Sequence, residues 1–308
     1  MISKKRVLIT GSNGLLGQKL IALLLPMPDV EVIATARGSN RMSAHFPGLT
    51  KYSPLDISNR SEVLDVIGRY KPDHVIHAAA MTNVDQCETE REMCWQINVE
   101  GTRHIIEACT VHNAHLVHVS TDFIFDGSSG PYKETALPCP VNFYGESKVA
   151  AEKLVQESAL KWAIARTVLV YGTLHDGSRS NIVLWVKNSL EEGKSLKLVN
   201  DQLRSPTLAE DLAMGCWLIA KNNATGIYNI SGKDLLTPYE MAIKVAEVFD
   251  LDKTLIEKTD STQFKQPARR PARTGFILTK AQTELGYAPH SFKEGIEIVA
   301  GQVVNTTV

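Results

Sequence analysis

The stretch Arg6-Val-Leu-Ile-Thr-Gly-Ser-Asn-Gly-Leu-Leu-Gly17 decides the fold. Its first five residues predict a short strand, and an apolar helix follows the last glycine and stops at Pro26. A strand, a glycine-spaced turn and a helix in this order are typical of a dinucleotide-binding loop, because the backbone can approach a pyrophosphate and the helix N-terminus attracts the anion. Gly17 would let the helix pack on the strand. We expect the dinucleotide to contact Gly11, Ser12, Asn13, Gly14, Leu15 and Leu16.

Strands and helices alternate along the first half of the chain. Further strands are predicted over 30–36, 51–55, 72–80, 114–118 and 162–172. The alternation predicts an α/β fold with a Rossmann-type, doubly wound parallel sheet that is covered by helices on both sides. We place a dinucleotide-binding domain at 1–172 and a smaller, mixed α/β substrate-binding lobe at 173–308, with a helix over 208–221 that can return to the first domain.

The end of the second strand bears on the choice of nicotinamide cofactor. An NAD site usually offers a carboxylate there to the ribose 2'-hydroxyl, but this chain has Arg37, which suits a 2'-phosphate. The sequence therefore favours NADPH. NADH is the alternative if Arg37 and Arg41 are only solvated loop charges. Asp56 and Ile57 close the third strand where they could cap the adenine, although an aspartate there is also a common helix N-cap.

The fourth strand runs into small residues, which leave room for the sugar and phosphates of a cofactor. A long helix is predicted over 88–113. Asn98 lies within this helix, where a polar group that faces the sheet could brace the strand that carries Thr121. From this region we assign to the cofactor site Ala78, Ala79, Ala80, Thr82 and Asn98.

Tyr144-Gly-Glu-Ser-Lys148 opens a predicted helix, in which residues i and i+4 share one face. A lysine held beside a tyrosine favours the ionised phenol and lowers the pKa of the tyrosine. Tyr144 could then give a proton to a carbonyl oxygen while hydride arrives at its carbon, with the Thr121 hydroxyl as a second donor to that oxygen. We therefore predict ketone reduction with Thr121, Tyr144 and Lys148 as the catalytic residues. Chance can also produce this spacing in a chain with 8 tyrosines.

The densest positive segment is 267–274, with arginines at 269, 270 and 273. Guanidinium groups match phosphate oxygens bidentately, so this loop could hold the diphosphate of a nucleotide-linked sugar. The alternative is a solvated basic cluster.

Composition excludes several classes of protein. The 308 residues are 44% apolar and 22% charged, with a net charge of -1 that gives no electrostatic reason to expect nucleic acid or an anionic membrane as partner. No apolar run suits a signal peptide or a membrane span, and 5 cysteines without a Cys-x-x-Cys pair indicate reduced thiols, so we expect a cytoplasmic protein. The histidines lack the spacing of a zinc site, and no metal is expected. The oligomeric state stays open, with a homodimer as one option.

Several longer motifs accompany the glycine turn and the Tyr144-x-x-x-Lys148 spacing, which together resemble the extended short-chain dehydrogenase/reductase superfamily. The motifs are His77-Ala-Ala-Ala-Met-Thr-Asn-Val-Asp85, Ser120-Thr-Asp-Phe-Ile-Phe-Asp-Gly127, Asn200-Asp-Gln-Leu-Arg-Ser-Pro-Thr207 and Ala268-Arg-Arg-Pro271. They resemble the dTDP-4-dehydrorhamnose reductase family over nearly the whole chain. The resemblance implies NADPH-dependent reduction of the 4-keto group of a nucleotide-linked deoxysugar, dTDP-4-dehydro-L-rhamnose to dTDP-L-rhamnose. It implies a substrate side lined by Val84, Thr121, Asp122, Phe123, Phe125, Tyr144 and Arg270.

The chain departs from that family at two positions. Leu169 replaces a tryptophan that is usual in the sixth strand and removes a stacking surface, and Thr274 stands where serine is usual. The chain also resembles the non-catalytic regulatory subunit of methionine adenosyltransferase, which shares the fold. A nucleotide-sugar epimerase or dehydratase, and a nucleotide-binding regulatory subunit, are therefore the alternative functions.

Overall fold

The structure is a computed structural model that describes residues 4–175 and 180–306. The strands are β1 (Lys5–Thr10), β2 (Val30–Ala36), β3 (Tyr52–Pro54), β4 (His74–His77), β5 (His115–Thr121), β6 (Trp162–Thr167), β7 (Val170–Tyr171), β8 (Leu196–Val199), β9 (Thr207–Leu208), β10 (Gly226–Asn229) and β11 (Ile256–Thr259). The α-helices are α1 (Leu15–Leu24), α2 (Arg60–Tyr70), α3 (Val84–Thr89), α4 (Arg91–Trp95), α5 (Gly101–His112), α6 (Phe143–Gln156), α7 (Ile182–Glu191), α8 (Ala209–Lys221), α9 (Pro238–Val248), α10 (Thr279–Leu285) and α11 (Phe292–Thr306).

Seven strands form the central sheet in the order β10-β6-β5-β4-β1-β2-β3. Every neighbouring pair is parallel. The order grows outward in both directions from β1, which is the doubly wound arrangement, so the predicted fold class is confirmed. In such a sheet, a ligand binds beyond the carboxyl ends of the strands, where the direction of winding reverses between β1 and β4.

Helices cover both faces of this sheet because alternate side chains of each strand point to opposite sides. Val7 and Ile9 of β1 pack with apolar residues of α1 and α8, and Leu8 between them packs with those of α2 and α5. All three side chains are fully buried. The continuous apolar run of β1 is thus explained by a layer of helices on each side of it.

The smaller lobe has a core of its own. Apolar residues of α7, α9 and α11 pack with those of β8 and β11, which pair as a separate two-stranded parallel sheet. Strand β10 follows residue 172 in the chain, yet it pairs with β6 at the edge of the central sheet. Helix α8 packs in the same core as α1. The domain boundary at residue 172 stays a prediction, since β10 and α8 follow it in the chain.

Two predicted elements are interrupted. The helix expected over 88–113 consists of α4, a π-helical turn (Gln96–Glu100) and α5, with Glu90 outside helical geometry at its start. The strand expected over 162–172 is split into β6 and β7, because Leu169 adopts a left-handed conformation with φ of 38°. Over residues 4–175 and 180–306, no helix is long and apolar enough to cross a membrane.

Candidate active site

A cleft of about 940 Å³ lies at the carboxyl ends of the central strands, between the sheet and the smaller lobe. It brings together most of the residues that were predicted from the sequence. Those that line it are Gly11, Asn13, Gly14, Leu15, Leu16, Arg37, Asp56, Ile57, Ala78, Ala79, Ala80, Thr82, Val84, Thr121, Asp122, Phe123, Tyr144, Lys148 and Arg270.

Three predicted site residues lie behind the wall of the cleft. Ser12 is buried in the glycine turn. Asn98 braces the loop after β4, since its amide accepts a hydrogen bond from the Met81 N–H at 2.8 Å and donates one to the Met81 carbonyl at 3.1 Å. Phe125 is 1% exposed and stacks on Tyr132 with ring centroids 4.1 Å apart, so the expected contact between Phe125 and substrate is not supported.

The glycine turn has the geometry that a dinucleotide needs. Gly11 adopts φ of 70°, and a Cβ there would come within 3.0 Å of the Ala79 backbone. At Gly17, a Cβ would lie 2.5 Å from the Gly11 carbonyl oxygen and the Ser12 Cα, so only glycine allows the helix to approach the turn this closely. No side chain caps the N-terminus of α1, so its first N–H groups stay available to an anion. The turn and the small residues of 78–80 therefore fit a nicotinamide dinucleotide.

The side chain of Thr10 joins this turn to the loop after β4. Its hydroxyl oxygen accepts hydrogen bonds from the N–H groups of Ala78 and Ala79, each at 3.1 Å, and lies 2.8 Å from Nδ1 of His77. Burial lowers the pKa of His77 to about 3, so the ring is neutral and its Nδ1 can accept a hydrogen bond from the Thr10 hydroxyl. These buried hydrogen bonds fix the position of the glycine turn relative to the loop after β4.

Tyr144 and Thr121 meet where α6 crosses the end of β5. Thr121 is the last residue of β5, and Tyr144 lies in the first turn of α6, which Asn142 caps by accepting a hydrogen bond from the Gly145 N–H at 2.8 Å. The Thr121 hydroxyl lies beside the Tyr144 phenol, where it acts to lower the pKa of that phenol, and both side chains line the cleft. Gly145 permits this approach, because any side chain there would overlap the Phe123 carbonyl oxygen.

Burial dominates the electrostatics of the two titratable catalytic candidates. It raises the pKa of Tyr144, and the opposing influence of the neighbouring Thr121 hydroxyl offsets only part of that effect. It lowers the pKa of Lys148 to about 8, with the carboxylate of Glu152 as the main opposing influence. The expectation that Lys148 lowers the pKa of Tyr144 is therefore wrong for this structure. At neutral pH, the phenol keeps its proton and the lysine is predominantly charged.

The carboxylate next to Thr121, that of Asp122, is buried although the residue borders the cleft. Asp122 is 2% exposed, accepts a hydrogen bond from the Thr121 hydroxyl at 3.1 Å, and accepts another from the hydroxyl of Thr274. Burial raises the pKa of Asp122, and the nearby positive charge of Arg204 opposes that rise. The hydroxyl of Thr274, at the position where serine is usual, thus fixes the carboxylate that holds Thr121.

Arg270 reaches the cleft from the basic loop, but an acidic side chain already holds it. Its guanidinium binds Asp85 bidentately, with nitrogen–oxygen distances of 2.5 and 2.7 Å, and the same carboxylate accepts a hydrogen bond from the Ala268 N–H. The pair lowers the pKa of Asp85. A phosphate that binds Arg270 would therefore compete with this carboxylate, or share the arginine with it.

Arg204 is a cleft residue to which sequence reasoning gave no role. It is 5% exposed and donates hydrogen bonds to the carbonyl oxygens of Leu203, Pro271 and Ala272. Its guanidinium also lies 5.9 Å from the ring centroid of Phe123. The available signal was its position in Asn200-Asp-Gln-Leu-Arg-Ser-Pro-Thr207, one of the motifs that carried the resemblance.

A sequence model of one protein family, described as RmlD substrate binding domain, matches residues 5–304. The chain is 32% identical over 304 residues to a dTDP-4-dehydrorhamnose reductase of Aggregatibacter actinomycetemcomitans, a match that covers 95% of this chain and 97% of that protein. It is 28% identical to methionine adenosyltransferase 2 subunit beta of Pongo abelii, over 96% of this chain and 87% of that protein.

Solved structures show the same similarity. The crystal structure of dTDP-4-dehydrorhamnose reductase from Bacillus anthracis, in complex with NADP, superimposes with a TM-score of 0.85 at 30% sequence identity. The superposition covers 97% of this chain and 100% of that one.

Proposed function

Because the chain belongs to the RmlD substrate binding domain family, we propose that it is an NADPH-dependent reductase of the 4-keto group of a nucleotide-linked deoxysugar. The substrate that we favour is dTDP-4-dehydro-L-rhamnose, and the product is dTDP-L-rhamnose. One observation carries the proposal: the side chains of Thr121 and Tyr144 line the same cleft as Lys148 and the glycine turn. A non-catalytic nucleotide-binding protein has no physical need for this arrangement.

The residues of the cleft divide into a cofactor side and a substrate side. The glycine turn, Arg37, Asp56, Ile57 and the small residues of 78–80 would hold the dinucleotide, with Arg37 at the 2'-phosphate. Val84, Asp122, Phe123 and Arg270 would hold the sugar nucleotide. When bound, NADPH supplies the hydride; NADH is the alternative donor if Arg37 does not meet a phosphate. The similarity to an NADP-bound reductase supports NADPH.

The protein itself would supply the proton and its orientation. Tyr144, kept protonated by burial, would donate its phenolic proton to the ketone oxygen as that oxygen gains negative charge. The Thr121 hydroxyl would donate a second hydrogen bond to the same oxygen, which requires it to turn from Asp122 toward the cleft. Lys148 would stay charged, stabilise the resulting phenolate and bind the ribose of the cofactor.

The test is NADPH oxidation, followed by absorbance, with dTDP-4-dehydro-L-rhamnose and other 4-keto sugar nucleotides. We expect Tyr144→Phe to remove turnover while NADPH still binds, because the phenyl ring keeps the packing and loses only the proton. Tyr70→Phe is the matched control, since Tyr70 lies in α2 outside the cleft, and it should retain wild-type turnover. Wild-type protein that oxidises no NADPH with any of these sugars would refute the proposed reaction.

The second candidate is a nucleotide-binding regulatory subunit, and one observation favours it. Leu169, 39% exposed and lining the cleft, offers no aromatic surface where the reductase family usually has tryptophan. The similarity to methionine adenosyltransferase 2 subunit beta is consistent with this candidate. Co-purification with a larger catalytic partner, without turnover of any keto sugar, would support it. An epimerase or dehydratase would instead release stoichiometric NAD on denaturation.

The assembly state and location of the protein are separate proposals. A homodimer stays one option for the assembly. The cysteines at 87, 94, 109, 139 and 216 are all free thiols, which supports our expectation of a cytoplasmic protein.

A further inference from the structure

Lys148 is held from behind by strand β5. Its ammonium lies 2.8 Å from the Val119 carbonyl oxygen and 3.2 Å from Nε2 of His118. The side chains of Lys148 and His118 are almost completely buried, at 3% and 1% exposure. An ammonium has three N–H donors. Two of them therefore point to the strand, and the third remains for a group in the cleft that Lys148 lines.

The His118 ring is suited to accept rather than donate at this contact. Burial and the positive charge of Lys148 lower the pKa of His118 well below its usual value, so the imidazole is neutral. With Nε2 accepting from the ammonium, the ring proton lies on Nδ1. Nδ1 is buried and has no hydrogen-bond partner among the described residues, so the strongest polar contact of this ring is the one with Lys148.

We infer that His118 is a positioning residue for Lys148, because its Nε2 and the Val119 carbonyl fix two ammonium donors and leave the third for the cleft. This inference rests on the proposed function, in which Lys148 binds the cofactor ribose as a cation. It assigns a role in the site to a buried residue of β5 that does not line the cleft.

Other ionisable groups surround Lys148 on the elements packed against it. Glu152, one turn further along α6, favours the charged lysine and is itself paired bidentately with Arg166 of β6. Cys94 of α4 also favours the charged lysine. His77 of β4, whose ring centroid lies 5.4 Å from that of His118, is neutral. Within residues 4–175 and 180–306, none of these groups is hydrogen-bonded to the ammonium, so they cannot replace the acceptor that His118 provides.

Removal of that acceptor should destabilise the ammonium relative to the neutral amine. A hydrogen bond to a charged group corresponds to a shift of about one to two pH units. The pKa of Lys148, about 8 in the structure, should therefore fall toward neutral or slightly acidic pH in His118→Leu. The charged lysine would then be lost as pH rises through this lower value, and cofactor affinity and turnover should decline with it.

The direct test is the titration of Lys148 in the protein without cofactor or substrate. NMR of protein with 13Cε-labelled lysine follows this titration, and Lys148→Met assigns the resonance. We compare wild type with His118→Leu and with His118→Gln, whose side-chain oxygen can occupy the place of Nε2. The matched control is His115→Leu, because His115 is a buried histidine of the same strand that contacts His74 and the Ala224 carbonyl instead of Lys148.

We expect the Lys148 midpoint to fall by about one to two pH units in His118→Leu and to stay near the wild-type value in His118→Gln and His115→Leu. The pH dependence of NADPH binding, measured by fluorescence, should shift in parallel. An unchanged midpoint in His118→Leu, or an equal shift in His115→Leu, would overturn the inference. If His118→Leu does not fold, as thermal unfolding would show, His118→Asn removes the acceptor by shortening the side chain and decides the question in the same way.

The two proposals fail separately. The lysine titration needs no sugar and no turnover. If wild-type protein reduces no keto sugar but the titration shifts as expected, the role of His118 stands and the proposed reaction falls. If wild type reduces the sugar but the titration does not shift, only the role of His118 falls.

Discussion

Gly145→Ala should move the hydroxyls of Thr121 and Tyr144 apart although it adds only one methyl group. The new Cβ would overlap the Phe123 carbonyl oxygen, and it would lie 2.9 Å from Pro140 Cβ and 3.1 Å from the Phe123 carbonyl carbon. Nonbonded carbon atoms prefer separations of about 3.5–4.0 Å. The contact with Phe123 is to backbone, which cannot move aside as a flexible side chain would. Helix α6 and the turn that follows Thr121 must therefore move apart.

The size of the effect follows from these distances. Overpacking of this kind costs about 1–3 kcal/mol of folding stability, while alanine in place of glycine in a helix returns up to about 1 kcal/mol. The net change in stability is therefore small or moderately unfavourable. Turnover should change more, because a displacement of roughly 1 Å of a catalytic group can cost about 100-fold in rate. We expect kcat to fall by about two orders of magnitude while NADPH affinity changes little.

The assay is NADPH oxidation together with urea denaturation of the same preparations. Gly301→Ala is the matched control: Gly301 is an exposed glycine within α11, and a Cβ there would meet nothing within 4 Å. It should keep wild-type kcat and gain a few tenths to about 1 kcal/mol in stability. If Gly145→Ala behaves like this control in both measurements, the close approach of α6 to the turn does not position Tyr144, and the reasoning is wrong.

Three further perturbations test the rest of the cleft. Arg270→Lys removes the bidentate pair with Asp85 and should raise KM for the sugar nucleotide about tenfold, with NADPH affinity unchanged, in steady-state kinetics. Arg37→Asp should weaken NADPH binding by about tenfold or more and improve NADH binding, as measured by fluorescence titration, because a carboxylate repels the 2'-phosphate and suits the ribose hydroxyl. Glu152→Gln leaves Arg166 buried without its anion and should cost about 3–5 kcal/mol in urea denaturation. The same variant removes a charge that raises the pKa of Lys148, so activity should be lost at lower pH as pH rises.

The fold was predictable because local sequence signals and tertiary packing agree. The apolar run at 6–10, the glycine spacing after it and the alternation that follows each point to a parallel sheet with two helical layers, and the structure has that sheet. Gly11 and Gly17 occupy positions that backbone approach restricts to glycine. The Tyr144-x-x-x-Lys148 spacing was read correctly as one face of a helix, since both side chains line the cleft.

Tertiary packing decided what the sequence did not reveal. The sequence pattern at 88–113 does not predict the π-helical turn at Gln96–Glu100, because that turn depends on how this segment packs against its neighbours. The sign of the pKa shift at Tyr144 was predicted wrongly because spacing gives the neighbour but not the burial, and burial is the larger effect. Nothing in the sequence distinguishes His118 from the other histidines, because its contact with Lys148 arises only when α6 packs against β5.

Asn142 connects the start of α6 with the loop that carries Arg270. Its side-chain oxygen caps α6 at the Gly145 N–H, and its side-chain nitrogen donates to the Arg269 carbonyl oxygen at 2.8 Å. One residue thus joins the first turn of the helix that carries Tyr144 to the loop that carries Arg270. If the proposed function is correct, a sugar nucleotide that draws Arg270 toward its diphosphate would pull on the same loop and, through Asn142, on the start of the helix that carries the phenol. Both hydrogen bonds come from one short side chain, so a displacement of the loop would lengthen the first bond or displace the residue that caps the helix.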